Sequence, residues 1–371
     1  MPDLTAADAL ALRMTSLLLR ERDADRPGDV AGVVTWFGAM QAQDLASVLW
    51  SLGARLPGLT AVDIQGALER RGALRTWPMR GTVHLVPPRD AHWMLDVLGR
   101  RTLAGAAARR ASLGLTDKLA DRGVAALAAA LAGGGRRTRA ECMAALAEAG
   151  ITGSGQFGYH LLWYASQLGV TCIAPNIGKE QTFVLLDEWV PDPRRLAPQE
   201  ALATIAERYF RSHGPTTRQD FAGWAGLTAA EAKQGIAGAG ARLTAVRVDG
   251  VEMVMDPELL DAHRAAPVDT GDEMLVLPGF DEYLLGFKDR SLMVAAEHKQ
   301  AIIPGGNGVF QATVVRGGRV IGTWKRSTAR GRTAVRVFPL VTVRAADRRR
   351  VERAFEPYAR FMGSPLEVSW A

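Results

Sequence analysis

The stretch TAAEAKQGIAGAGARLTAVRVDGVEMVM, residues 228–255, decides the fold. Thr228 and Glu231 stand three residues apart at its start, which is the spacing of a capping box at a helix N-terminus. Asp249 and Gly250 separate two runs rich in valine and methionine, and an Asp-Gly pair in that position predicts a type I′ hairpin turn. The stretch therefore predicts a helix over 228–237 and a hairpin with strands over 243–248 and 251–255.

Two more helices are predicted directly before this stretch, over 198–213 and 217–225, because apolar residues recur there at helical spacing. Helix, helix, helix and hairpin, in that order, is typical of a winged helix, a helix-turn-helix with an attached β ribbon. The stretch and its two preceding helices therefore predict one winged-helix motif.

A similar order, helices followed by a hairpin, is predicted twice more. One copy has helices 6–20, 30–38, 45–52 and 62–71 with strands 74–77 and 82–86, and the other has helices 139–149 and 157–168 with strands 170–174 and 181–186. An alanine-rich helical segment over 103–131 joins these two copies, and we interpret it as a spacer. After residue 267 the pattern changes to strands and turns, closed by a helix over 348–361. We predict an α+β fold in which three tandem winged-helix motifs precede a β-rich C-terminal domain. The predicted domain segments are 1–100, 101–196 and 197–266 for the three motifs and 267–371 for the C-terminal domain.

Composition sets wider limits. The chain has 371 residues, 48% of them hydrophobic and 23% charged, which is ordinary for globular proteins and long enough for several cores. No run of about 18 uncharged apolar residues occurs, and the first residues include acids where a signal peptide needs bases, so we predict a cytoplasmic protein without a membrane segment.

Cys142 and Cys172 lack metal-binding spacing and are predicted to be buried thiols. No metal and no cofactor are predicted.

The cations are unevenly distributed along the chain, whose formal charge is +6. Between Glu297 and Asp347 there is no acid, and nine cations fall in that window: Lys299, Arg316, Arg319, Lys325, Arg326, Arg330, Arg332, Arg336 and Arg344. Two more acid-free windows, 70–89 and 97–116, hold five and four arginines. Guanidinium groups match phosphate oxygens in pairs, so these windows predict a track for a polyanion. The alternative is that an arginine-rich composition merely leaves solvated side chains.

A hairpin is predicted within the longest window. Gly317 and Gly318 form its two-residue turn, Arg316 and Arg319 flank the turn, and Lys325 and Arg326 lie at its base. A ribbon with cations at its protruding tip fits a DNA groove. The alternative is a solvent-exposed hairpin whose edge is protected by charge.

The segment GAMQAQD, residues 38–44, contains two glutamines two positions apart, Gln41 and Gln43, which are the strongest candidates for a functional polar pair. Asp44 directly precedes an apolar run and is predicted to be a helix N-cap, which leaves Gln41 and Gln43 extended. In an extended chain residues two apart project from the same face, and two carboxamides there can bind one water through both its protons and its lone pairs. The alternative is that the amides cap neighbouring backbone groups.

Amides have no usable pKa and cannot act as general acid or base. Hydrolysis of the glycosidic bond to a cationic N7-alkylated purine needs no such group, because this purine leaves as a neutral molecule without protonation. A positioned water and stabilisation of an oxocarbenium-like sugar are enough. Amide carbonyls such as those of Gln41 and Gln43 can supply both, so these residues are candidates for this chemistry beside the structural alternative.

Further candidates lie on the first predicted hairpin. Arg75, Arg80 and His84 are predicted to contact DNA, while a structural role for His84 stays open. Sequence motifs for nucleotide hydrolases, dehydrogenases, zinc proteases and α/β-hydrolases are absent from the chain.

The segments MQAQ (40–43), TWPMRGTVH (76–84), LPGFDEY (277–283) and WKR (324–326) together resemble the AlkZ-like winged-helix DNA glycosylases of bacteria. The resemblance runs from about residue 10 to residue 367. It implies a C-shaped scaffold around duplex DNA, and it maps the family's catalytic glutamine-x-glutamine motif onto Gln41 and Gln43. A related branch carries Asp at the second glutamine.

The resemblance further implies that Arg316, Arg319, Lys325 and Arg326 form a cationic DNA-binding hairpin. The expected activity is excision of N7-alkylated purines, including bulky adducts and interstrand crosslinks made by natural-product alkylators. We expect a monofunctional glycosylase that acts on duplex DNA as a monomer. The rival interpretation is a DNA-binding regulator or architectural protein that breaks no bond.

Overall fold

The structure is a computed structural model, and it describes residues 1–20, 26–267, 270–329 and 332–371. The helices, in chain order, are α1 Ala6–Ser16, α2 Val30–Phe37, α3 Leu45–Arg55, α4 Ala61–Glu69, α5 Ala91–Met94, α6 Arg100–Gly105, α7 Ala107–Ser112, α8 Asp117–Leu131, α9 Arg139–Glu148, α10 Phe157–Gln167, α11 Leu186–Trp189, α12 Pro198–His213, α13 Arg218–Ala225, α14 Ala229–Ala239, α15 Pro257–Ala265, α16 Glu282–Leu285, α17 Lys299–Ile302, α18 Ala345–Ala354 and α19 Glu356–Met362. The strands are β1 Asp3–Leu4, β2 Met40–Gln41, β3 Leu74–Met79, β4 Thr82–Val86, β5 Arg137–Thr138, β6 Thr171–Ile177, β7 Glu180–Leu185, β8 Thr244–Val248, β9 Val251–Met255, β10 Met274–Leu277, β11 Ala312–Arg316, β12 Arg319–Ala329, β13 Arg332–Pro339 and β14 Leu366–Trp370.

The helices and hairpin predicted over 198–255 are confirmed as α12, α13, α14, β8 and β9. The capping box is present, because the Thr228 hydroxyl accepts from the Glu231 amide at 3.2 Å and Glu231 accepts from the Thr228 amide at 2.7 Å. Asp249 and Gly250 have φ values of 48° and 82°, the left-handed pair that a type I′ turn requires. The short strand β1 pairs in parallel with β8 and was not predicted.

The predicted spacer segment over 103–131 is not one continuous helix. It ends and restarts as α6, α7 and α8, and Gly114 takes a φ of 72° in the loop before α8. Leu127 and Leu131 are fully buried, and Leu161 of α10 lies directly over Gly123 of α8. Helix α8 therefore packs into the second helical copy as its first helix instead of serving as a bare connector.

The hairpins of the first two copies share one sheet. Its six strands run in the order β2-β4-β3-β6-β7-β5, and Arg75 on β3 pairs with Ile173 on β6. The sequence predicted both hairpins but not this pairing, which joins residues about 100 positions apart. This sheet carries the glutamine segment, because β2 pairs antiparallel with β4.

The C-terminal strands form a second large sheet, in the order β10-β11-β12-β13-β14. Successive strands from β10 to β13 are antiparallel, and β14 adds in parallel to β13. The buried Arg55 guanidinium bonds Asp281, which follows β10, at 2.8 Å, so Asp281 serves as a carboxylate partner for arginine.

Internal contacts divide the chain into two compact units, one of residues 1–37, 44–64 and 203–371 and the other of residues 38–43 and 65–202. The fold is thus a mixed helix and sheet fold. The four predicted domain segments stay a prediction, since packing contacts do not report independent folding. The count of winged helices and the C shape that the resemblance implies also stay predictions. Within the described ranges, every helix is too short or too polar to cross a membrane.

Candidate active site and nucleic-acid interface

The glutamine segment is extended, as predicted. Gln41 ends the short strand β2, and helix α3 begins at Leu45 with Asp44 as its N-cap. The Asp44 carboxylate accepts a hydrogen bond from the Ser47 amide at 2.6 Å. Because a helix would have sent the two carboxamides in diverging directions, the extended backbone removes the geometric objection to a shared role.

Gln41 and Gln43 differ in exposure and in attachment. Gln41 is 8% exposed and lies directly opposite His84 of β4 in the strand register. Gln43 is exposed, and its side-chain oxygen accepts a hydrogen bond from the backbone amide of Val83 at 3.2 Å. The Ala42 amide donates to the Val83 carbonyl at 2.8 Å, so the Gln43 side chain continues the β2–β4 ladder after the strand has ended.

This bond fixes the orientation of the Gln43 amide. A backbone N–H can only donate, so the oxygen must face Val83 and the NH₂ group must point away from it. One lone pair of the oxygen is used in this bond, and the second can still accept a proton from a water. The open alternative from the sequence, an amide that bonds neighbouring backbone, is therefore present at Gln43 and leaves further hydrogen-bonding capacity.

His84 is fully buried, at 0% exposure. Its Nδ1 lies 2.9 Å from the Thr82 carbonyl, and its Nε2 lies 3.3 Å from the Arg80 guanidinium. Arg80 is exposed and occupies the β3–β4 turn with a φ of 55°, followed by Gly81 at 70°. The prediction that His84 contacts DNA directly receives no support from this interior position, whereas Arg80 stands at the surface.

Arg75 lies in the interior as well. It is 7% exposed, and its guanidinium donates to Asn176 at 2.6 Å and to the Ala174 carbonyl at 3.2 Å. Burial lowers the pKa of Arg75 to about 10, so it stays protonated at neutral pH. In the register it stands opposite Leu85, one residue from the Thr76–His84 pair, so it projects from the other face of the sheet. These bonds support a structural role for Arg75.

Arg316 is neutralised by acids from outside its acid-free window. Its guanidinium bonds Asp272 at 2.8 Å and Asp347 at 3.2 Å, and Arg350 bonds the same Asp272 at 3.1 Å. The bonds with Asp272 raise the pKa of Arg316, and the bond with Arg316 lowers the pKa of Asp272. Two cations and two carboxylates therefore leave this cluster close to neutral.

The turn of the predicted hairpin does not protrude. Gly317 and Gly318 have φ values of 52° and 75°, and a Cβ on Gly318 would meet Leu10 and Met14 of α1 within 3 Å. The Tyr283 hydroxyl also donates to the Gly318 carbonyl. The expectation of a protruding cationic tip at this turn is wrong, because glycine lets the backbone pack directly against α1.

The exposed cations lie on the following hairpin, β12–β13. Lys325 and Arg336 stand opposite each other in the register and flank the Phe338 ring at 5.8 and 5.6 Å. Arg326 is exposed and reaches the Tyr358 hydroxyl at 3.3 Å, and Arg319 is exposed at the start of β12. Arg330 and the Arg332 side chain lie outside the described residues.

One arrangement in the structure imitates a hydrolase triad. The Ser212 hydroxyl lies 2.8 Å from Nδ1 of His213, whose Nε2 lies 3.3 Å from Glu282. All three residues are at most 1% exposed, and aromatic rings surround the histidine. No substrate can reach this serine without unfolding, so the trio is a structural element of the core.

Residues that could hold a metal do not gather among the described residues, where no group of three or more His, Cys, Asp or Glu has suitable geometry. Cys142 and Cys172 are both free and buried, as predicted, and burial raises the pKa of the Cys142 thiol to about 11. Both thiols are therefore unreactive at neutral pH.

Sequence reasoning passed over two features of these surfaces. Arg336 lies in the acid-free window but was not predicted to contact DNA. Its pairing with Lys325 across the two strands would have identified it as a further cation of the same surface. Arg75 lies in a strand whose residues are all buried, Leu74–Met79, and no local signal in the sequence marked it as an interior residue.

Known proteins are similar to this chain over most of its length. A family model described as "DNA glycosylase AlkZ-like" matches residues 34–361. A relative from Streptomyces sahachiroi, named interstrand DNA cross-link repair glycosylase, is 27% identical over 332 residues, covering 85% of this chain and 86% of the relative. The solved structure of Streptomyces sahachiroi DNA glycosylase AlkZ superposes with a TM-score of 0.81 at 25% identity and covers all of both chains. The chain belongs to the AlkZ-like DNA glycosylase family.

Proposed function

We propose that this DNA glycosylase hydrolyses the N-glycosidic bond of N7-alkylated purines in duplex DNA, with Gln41 and Gln43 as its catalytic residues. The carrying observation is the extended glutamine segment, in which an exposed carboxamide at residue 43 is locked in one orientation by the Val83 amide at 3.2 Å. A locked amide offers a fixed hydrogen-bonding direction to a water without spending further entropy at the moment of reaction.

The reaction suits amides. Water oxygen bonds to C1′ of the sugar, the bond from C1′ to N9 of the purine breaks, and its electron pair neutralises the positive charge of the alkylated ring. The water proton leaves to solvent. Amide oxygens accept hydrogen bonds from the incoming water, and their dipoles stabilise positive charge on the sugar.

We further propose a monofunctional enzyme whose product is an abasic site in an otherwise intact strand. A lyase step would need an amine that attacks C1′. The strands that carry the glutamine segment and its partners, β2, β3 and β4, contain no lysine. The strand break is therefore expected only after alkali is added.

Duplex binding is proposed to depend on exposed cations that hold phosphates without reading sequence. Arg80, Arg319, Lys325 and Arg326 meet that requirement, and Arg336 joins them. One chain is proposed to act alone, because three predicted winged-helix motifs in one polypeptide suit a monomeric clamp.

The substrate range is proposed to include bulky adducts and interstrand crosslinks. The relative from Streptomyces sahachiroi carries cross-link repair in its name. A base tethered to both strands cannot be swung fully into a closed pocket. Exposure of Gln43 at the surface supports attack on such a base where it stands.

The test uses duplexes that carry one N7-methylguanine, followed by alkaline cleavage of the abasic product. We expect base release by the wild type, loss of release in Gln41→Ala and Gln43→Ala, and retained affinity for the duplex in both. Binding without release from any alkylated duplex would instead support the regulator. A crosslinked duplex tests the wider range, since its unhooking yields two separable strands.

A further inference from the structure

A row of polar side chains crosses three strands of the six-stranded sheet. Gln41 on β2 pairs in register with His84 on β4, and His84 pairs in register with Thr76 on β3. Side chains directly opposite each other in an antiparallel pair have Cβ atoms roughly 4.5–5.5 Å apart. The row is buried, with exposures of 8%, 0% and 0% in that order, so the His84 ring is a fixed neighbour of the Gln41 side chain.

Two hydrogen bonds hold the His84 ring, one at each nitrogen. A guanidinium can only donate, so Nε2 must accept from Arg80 at 3.3 Å. A carbonyl can only accept, so Nδ1 must donate to Thr82 at 2.9 Å. The tautomer with its proton on Nδ1 meets both requirements, and bonds at both nitrogens fix the orientation of the ring.

Arg80 holds this ring from an unusual backbone conformation. Its φ of 55° lies in the left-handed region, which is strained for a non-glycine residue. The conformation closes the two-residue β3–β4 turn, and from there the side chain reaches across four positions to His84. An exposed turn residue thus stabilises a fully buried ring.

We infer that His84 is a positioning residue for Gln41, and that Arg80 acts on catalysis by holding the His84 ring. This inference rests on the proposed glycosylase function. A movement of about 1 Å in a catalytic group can lower a rate by about a hundredfold, so a wall that fixes the Gln41 side chain affects the rate without touching substrate. His84 itself cannot touch DNA from its buried position.

The first experiment compares His84→Leu with His84→Gln. Leucine fills a similar volume and accepts no hydrogen bond, whereas the glutamine oxygen can accept from Arg80 in place of Nε2. We expect the single-turnover rate of N7-methylguanine release, at saturating enzyme, to fall at least tenfold in His84→Leu and to recover in part in His84→Gln. The dissociation constant for the same duplex should stay within about twofold. A wild-type rate in folded His84→Leu would overturn the inference.

The second experiment separates Arg80 as a holder of His84 from Arg80 as a phosphate contact. If Arg80 acts through His84, Arg80→Met lowers the single-turnover rate, and adding it to His84→Leu lowers the rate no further. If Arg80 only binds phosphate, the saturated rate is unchanged, the salt dependence of binding flattens by about one unit, and the inference fails. Because Arg80 is exposed, we expect Arg80→Met to fold. Its single-turnover rate therefore tests the inference even if His84→Leu does not fold.

Gln41→Ala serves as the reference in both experiments. Release by the wild type with loss in Gln41→Ala establishes the proposed function independently of His84. An unchanged rate in the His84 and Arg80 variants would then refute the positioning role alone. No release by the wild type from alkylated duplexes would refute the proposed function, and the positioning role would fall with it.

Discussion

The side-chain oxygen of Gln43 accepts a hydrogen bond from the backbone amide of Val83 at 3.2 Å. Strand β2 has already ended two residues earlier, so a side chain supplies the ladder bond that the backbone no longer makes. The side chain of this catalytic candidate is therefore attached to the sheet by one atom, while the residue as a whole is exposed.

This attachment predicts an order of activity among Gln43 variants. Gln43→Glu keeps an oxygen that can accept from Val83 and from a water, whereas Gln43→Met keeps the length and loses every acceptor. We expect base release to fall about 10²–10³-fold in Gln43→Met, the usual loss when one transition-state hydrogen bond is removed, and to fall less in Gln43→Glu. Single-turnover release of N7-methylguanine measures both.

Equal losses in the two Gln43 variants would contradict this reasoning, since the side chains are similar in size and only the glutamate, which also carries a charge, keeps acceptors. Thermal unfolding provides the control, because the Val83 bond is only partly buried and its loss should lower stability by no more than about 1 kcal/mol.

The ion pairs of Arg316 predict where the salt dependence of DNA binding arises. Each phosphate neutralised by a cation contributes about 0.9 to the slope of log affinity against log salt. Lys325→Gln combined with Arg326→Gln should therefore flatten that slope by up to about two units, and Arg336→Gln by up to one more. Fluorescence anisotropy of a labelled duplex across several salt concentrations measures it.

Arg316→Gln is the matched control. Asp272 and Asp347 already occupy its guanidinium, so its removal should leave the slope unchanged. If the slope of log affinity against log salt falls in Arg316→Gln but not in the Lys325 and Arg326 variants, then the β11–β12 turn contacts the DNA, contrary to this prediction.

Local signals predicted the parts of the site that short stretches of chain determine. The extended glutamine segment followed from Asp44, whose carboxylate caps the helix that begins one residue later. The Thr228 capping box and the Asp249–Gly250 turn were likewise readable, because each depends on residues within four positions.

Long-range pairing determined the rest and left no local signal. Arg316 looked unpaired because its window contains no acid, yet Asp272 and Asp347 lie 44 and 31 positions away. Arg75 finds Asn176 across 101 positions. A count of charges along the sequence cannot report which of them meet in the fold, and this is why the two cations changed from predicted DNA contacts to structural partners.

The bonds of Arg75 predict a loss of stability without a change in DNA binding. Arg75→Ala leaves Asn176 and the Ala174 carbonyl without their donor, which should cost about 1–3 kcal/mol in the free energy of unfolding. The salt dependence of duplex binding should match the wild type. Urea unfolding measures the first and anisotropy the second.

Arg70→Ala is the control for that measurement, because Arg70 is exposed and a surface substitution usually changes stability by no more than about 0.5 kcal/mol. Should Arg75→Ala unfold like the wild type and bind DNA with a flatter slope, the guanidinium belongs to the interface after all.

Asp220 predicts an acid-dependent stability. Burial raises its pKa, but hydrogen bonds from Thr217 and from the amides of Lys288 and Asp289 outweigh burial and leave the pKa below its ordinary value. A carboxylate with a depressed folded-state pKa stabilises the protein fully above its unfolded value of about 3.9, and that contribution is lost as the pH falls through the folded-state pKa. Unfolding free energy measured between pH 5 and pH 2 should therefore decline more steeply for the wild type than for Asp220→Asn.

At neutral pH the same variant should be less stable by about 1.5–3 kcal/mol, because the neutral carboxamide of the variant would accept fewer and weaker hydrogen bonds than the charged carboxylate. Thr217→Ala removes one donor to Asp220 and should give an intermediate acid slope. Parallel curves for the wild type and Asp220→Asn below pH 4 would mean that the carboxylate is held no more tightly in the fold than in the unfolded chain.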